Sequence, residues 1–142
     1  MAYMSQEHKA KIAPVIKSIC KRYNVKATLA VRNHMTLVLN IRQGEIDFVE
    51  NFIETDSRVA HGGKMTPDQI AYIRKSKSVD VNPYWFHEHF SGQARAFLTE
   101  IIAAMKGPDY FDKSDIQSDY FHTSHYIDVN IGRWNQPYAV VK

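Results

Sequence analysis

The chain lacks three features that would each decide its class outright. It carries a single cysteine, Cys20, in 142 residues, which excludes an internal disulfide framework and suits a reducing compartment. It has no long hydrophobic run, because its uncharged apolar stretches, such as 101–105, fall far short of the roughly 20 residues a membrane-spanning helix needs. It has no large excess of one charge sign: 18 Lys and Arg stand against 15 Asp and Glu, for a net charge of +3. Such a chain does not repel itself, and with 12% aromatic residues it is expected to fold rather than stay disordered. Residues 1–11 lack the apolar core of a secretory signal, so the expected location is the cytoplasm. No low-complexity linker or fixed-period repeat divides the sequence. What is present is 44% hydrophobic content, which suffices for one sizeable core but not two, so one domain over 1–142 is expected.

The small net charge hides a polarity along the chain. Residues 1–32 hold five Lys and two Arg against Glu7 alone, whereas 109–128 hold five Asp against Lys113 alone. Each region suits a partner of opposite sign, or the two face each other within the fold.

Periodicity supplies the elements. Ile12, Val15, Ile16, Ile19 and Tyr23 recur at helical spacing, with Lys17 and Lys21 off that stripe. Pro14 means that the helix either begins there or runs through it from Ser5, and Asn24 suits its left-handed end. Residues 27–41, rich in Val, Leu, Thr and Ile and broken only at Arg32, Asn33 and His34, predict a hairpin. Its second strand puts Met35, Leu37, Leu39 and Ile41 on one face, and His34, Thr36, Val38 and Asn40 on the other. Ile46, Val49, Phe52 and Ile53 mark a second helix. After a loop over 57–65, Thr66, Pro67 and Gln69 form a capping box opening a helix to about Lys75. Asn82 and Pro83 start the main core helix, carried by Phe86, Phe90, Ala94, Phe97, Ile101 and Met105 and either bent or split at Ser91 and Gly92. Residues 120–131 alternate as a strand closed by Gly132, and 138–141 suit a short edge strand. These elements predict an α+β fold, a small and mainly antiparallel sheet with helices packed on one face.

Two triplets bear on chemistry: His34-Met35-Thr36 and His122-Thr123-Ser124, each at the head of a predicted strand. They resemble the paired His-x-Thr/Ser motifs of the 2H phosphoesterases. That resemblance implies catalysis by His34 and His122 as general acid and base, with Thr36 and Ser124 beside them, on a cyclic nucleotide or other phosphodiester. Strand alternation would put each His on the face of its hydroxyl partner. Metal binding is not expected, because His87 and His89 point about 200° apart around a helix and the His-Glu-x-x-His spacing is absent. No cofactor is expected either. The Gly62-Gly63 loop departs from a P-loop, having Arg58 where that motif needs glycine and Met65 where it needs a hydroxyl. Cys20 reads as a small buried hydrophobe.

The segments 114–121, 126–134 and 137–138 are similar to segments of small phage and mobile-element proteins, and 17–41 is similar to the start of certain large polyvalent-protein-associated domains. The resemblance implies an accessory protein that accompanies invading DNA and acts on host machinery or host defence. The leading expectation is therefore a non-catalytic protein that binds a host protein or nucleic acid, without membrane association. The phosphoesterase is the alternative, and self-association is left open. Candidate binding residues are Lys17, Lys21 and Arg22 on the basic helix, joined for nucleic acid by Lys9, Lys11, Lys26, Arg32, Arg74, Lys75 and Lys77, and the acidic strip Asp112, Asp115 and Asp119 with Tyr120.

Overall fold

Ser5 opens the first helix, its Oγ accepting a 2.9 Å hydrogen bond from the His8 amide. A computed structural model describes residues 4–59, 66–107, 125–133 and 136–141. Helix α1 (Gln6–Arg22) runs through Pro14 rather than starting at it, and buries Ile12, Ile16, Ile19 and Cys20. Val15, expected on that stripe, is 53% exposed, because the buried face is narrower than the sequence spacing allows. Asn24 takes the left-handed conformation expected of it, φ 54°.

The hairpin pairs β1 (Val25–Arg32) with β2 (Thr36–Gly44) in antiparallel register, joined by a turn in which Asn33 and His34 have φ 53° and 59°. Beyond it the chain lays down α2 (Phe48–Val59), α3 (Pro67–Ser76), β3 (Val79–Val81), α4 (Phe86–His89) and α5 (Gly92–Lys106). It returns as β4 (Tyr126–Ile131) and β5 (Ala139–Val140). The strand order is β1-β2-β4-β3, with β5 beside the end of β2. The expected α+β class holds, with helices packed on the sheet, which is mixed. Its outer pairings β1–β2 and β3–β4 are antiparallel; the central pairing β2–β4 is parallel, since the helical connection brings the chain back in its original direction.

One sheet face meets the helices. Leu37, Leu39 and Ile41 of β2, Val79 and Val81 of β3, and Val129 and Ile131 of β4 join one cluster with Ile16, Phe48, Phe90, Phe97, Leu98 and Ile101. The opposite face carries a row that crosses all four strands in register: Thr28, Asn40, Asn130 and Asp80. There Asn130 Nδ2 donates to Asn40 Oδ1 at 3.3 Å, and Arg32 pairs with Asp128 at 3.0 Å.

The main core helix is split rather than bent. Phe90 and Ser91 are extended between α4 and α5, and Asn51 of α2 holds the break, donating to the Ser91 carbonyl (3.1 Å) and accepting from the Ser91 amide (2.9 Å). The helix start expected at Asn82-Pro83 is a turn, in which Asn82 Oδ1 accepts from the amides of Tyr84 and Trp85. The capping box of α3 forms as expected. Strand β4 begins at Tyr126; the earlier part of the strand expected over 120–131 lies outside the described residues. Among the described residues, no helix is long and apolar enough to cross a membrane.

Candidate binding groove

Helix α1 and the hairpin do not close fully on one another. Between them lies a groove of about 420 Å³. Its floor is aliphatic: Ile16 and Cys20 of α1, Val25, Ala27 and Leu29 of β1, and Leu39 of β2. Ala13, one turn before Ile16, presents only a methyl group where a larger side chain would fill the space. Because β1 is the outermost strand, Ala27 and Leu29 are only half-buried, although Leu39 behind them is 1% exposed.

The rim is basic. Lys17 and Lys21 stand one turn apart on α1, Lys26 lies on β1 and Arg42 on β2. Arg42 reaches the rim through an irregularity of pairing. Lys26 faces Gln43 and Ala27 faces Ile41, so Arg42 is the extra residue of a bulge, a device that re-aims a side chain. Among the described residues none of these rim cations is ion-paired, unlike Arg22 with Glu100, Arg32 with Asp128 and Arg74 with Glu50. Burial pushes the Cys20 thiol up to about 11, so it sits in the floor as a neutral, unreactive group. Among the described residues no carboxylate or imidazole lines the groove. It offers apolar surface and positive charge, but no acid–base pair.

Of the basic residues singled out by sequence, Lys17, Lys21 and Lys26 stand at this rim. Arg22 serves a different purpose: it bonds Glu100 of α5 at 2.7 Å and lies over the Tyr23 ring. Tyr23 donates to the other oxygen of Glu100, which raises the phenol's pKa and, with Arg22, lowers that of the carboxyl. This triad joins α1 to α5. Arg42 was missed, and alternation alone gives no signal for it, since a bulge leaves the residue pattern unchanged.

The first phosphoesterase triplet does not share a strand face. His34 occupies the hairpin turn, while Thr36 begins β2 and is buried. His122 and Ser124 lie outside the described residues, as do Asp112, Asp115, Asp119 and Tyr120. Another histidine is held in the interior: His125 is fully buried, donates from Nε2 to the Met105 carbonyl at 2.9 Å, and meets the His8 ring edge-on at 5.5 Å. Desolvation lowers its pKa, with a smaller push in the same direction from His8. Among the described residues no cluster of His, Cys, Asp or Glu is arranged to hold a metal ion.

No family model, curated protein or solved structure matches the chain. The reading of the groove therefore rests on its own chemistry. A lining of aliphatic side chains under a basic rim favours a ligand with an apolar face and negative charge at its edges.

Proposed function

We propose that the chain is a non-catalytic binding protein whose groove takes an acidic, apolar-faced segment of a partner protein. The observation that carries this is the combination of an aliphatic floor with Lys17, Lys21, Lys26 and Arg42, none of which is ion-paired among the described residues. Nucleic acid is the weaker fit. Single strands are held by bases stacked on aromatic rings, and among the described residues no aromatic side chain lines the groove; the exposed Tyr72, Tyr84 and Trp85 lie elsewhere. The resemblance to phage and mobile-element proteins supplies the setting: an accessory protein whose partner belongs to the host.

The test is fluorescence anisotropy with a labelled peptide alternating aspartate and valine, beside a lysine–valine control and a single-stranded oligonucleotide. The acidic peptide should bind and the basic one should not. The double reversal Lys17→Glu/Lys21→Glu should weaken binding by about tenfold or more at low salt. Oligonucleotide binding that is tighter than peptide binding and lost in the same variant would transfer the site to nucleic acid.

The phosphoesterase reading stands second, because the left-handed backbone of His34 and the burial of Thr36 separate the two side chains it needs together. Hydrolysis of cyclic dinucleotides or 2′,3′-cyclic phosphates that is lost in both His34→Ala and His122→Ala would reinstate it.

A further inference from the structure

The two edges of the sheet are finished differently. Strand β3 is three residues long, with exposed Asp80 at its centre and Asn82-Pro83 following it. A short, charged strand that ends at a proline cannot easily accept another strand, and natural sheets use these devices to protect their edges. Strand β1 carries charge too, but only at Lys26 and Arg32. It is eight residues long, contains no proline, and has no charge between Lys26 and Arg32. Among the described residues it pairs with β2 alone, so half of its backbone N–H and C=O groups point outward along one line.

That open edge borders the groove, whose floor includes the half-buried Ala27 and Leu29 of β1. We propose that β1 accepts the partner segment as an added β-strand, the occupant being an extended chain that alternates apolar, β-branched residues with acidic ones. This rests on the groove reading and specifies its geometry. Side chains of an added strand alternate between the two sheet faces. Every second one therefore lies over Ala27 and Leu29, under α1, and there β-branched residues fit a pleated, half-buried surface. The intervening acidic residues face the other side of the sheet, toward Lys26 of β1, and Lys17 and Lys21 of α1 flank the apolar row and act on the segment through the positive field of the rim. Backbone hydrogen bonds supply affinity without sequence, and the floor and rim supply the selection.

A second copy of this chain is the competing occupant, and charge counts against it. A two-fold pairing of β1 with β1 that aligns Thr28 with Thr28 opposes Val25 with Val31 and Ala27 with Leu29, an acceptable apolar match. The same symmetry brings both copies' Lys17 and Lys21 to one seam, where like charges repel. An acidic segment turns that repulsion into attraction.

The experiment uses the whole protein and the alternating aspartate–valine peptide, together with two N-methylated forms, one blocked at the valine amides and one at the aspartate amides. Only alternate amides of an added strand face its neighbour. One methylated form should therefore lose about tenfold or more in affinity while the other binds within about threefold of the parent. Amide hydrogen exchange should slow at every second residue of β1 when the parent peptide is bound. Binding that both methylated forms retain, or both lose, with β1 exchange unchanged, overturns strand addition and leaves the groove reading in place. Failure of the parent peptide to bind overturns the groove reading and this inference with it. Protection of β1 that grows with protein concentration in the absence of peptide assigns the edge to a second copy.

Discussion

At Gly132 the backbone leaves β4 with φ 68°, and a β-carbon there would lie 2.3 Å from the Lys77 carbonyl oxygen and 2.7 Å from the Tyr138 nitrogen. The Tyr138 amide in turn donates to that Lys77 carbonyl at 2.9 Å, so the contact is fixed backbone on both sides. Gly132→Ala should cost roughly 2–4 kcal/mol, left-handed strain plus a clash that nothing flexible can relieve, measured by urea denaturation. Gly92 is the control: φ is 58°, but a β-carbon would meet nothing within 4 Å, so Gly92→Ala should cost only about 1–2 kcal/mol. His125 predicts a pH dependence. Its pKa is lowered in the fold, so below the ordinary value near 6.5 the unfolded chain binds more protons than the folded one. Stability is fully present above that value and should fall as the pH drops below it toward the folded pKa, with His125→Gln flattening the profile of denaturation midpoint against pH. Some of this was legible in the sequence: Asn24 as a helix end and Gly132 as a strand end follow from conformational preference. The place of His34 was not, because a triplet motif says nothing of the sign of φ.

At the scale of elements, local chemistry was legible and long-range pairing was not. The capping box at Thr66 and Gln69, the hairpin and the stripe of α1 apart from Val15 each follow from a few adjacent residues, whereas the stripe expected of the second helix starts at Ile46, before α2 begins at Phe48. The break between α4 and α5 was visible as Ser91-Gly92, but what makes it a split is Asn51, forty residues away, whose side chain both donates to and accepts from the Ser91 backbone. Asn51→Ala should therefore destabilise the protein by about 1–2 kcal/mol, and thermal denaturation should show it even though the site is exposed. Strand β3 left no signal, since three residues between a helix end and a proline turn carry no period. The parallel pairing of β2 with β4 depends on a connection through α2 to α5, and the bulge that frees Arg42 depends on register; neither is written in local sequence.

For the whole molecule, the helices cover one sheet face, and the basic N-terminal third places four cations, none ion-paired among the described residues, around a groove beside the edge strand β1. The order of charges along the chain gave the polarity, while the fold gathers Lys17, Lys21, Lys26 and Arg42 from three elements. The most direct test of this account is the amide NMR spectrum of the isotope-labelled protein titrated with the aspartate–valine peptide. Shifts should concentrate at Ala13, Lys17, Cys20, Lys26, Leu29 and Arg42, leaving Asn130 and Asp80 of the open face and all of α3 unmoved. Shifts centred on the Asn40–Asn130–Asp80 row or on α3, with the groove silent, would contradict it.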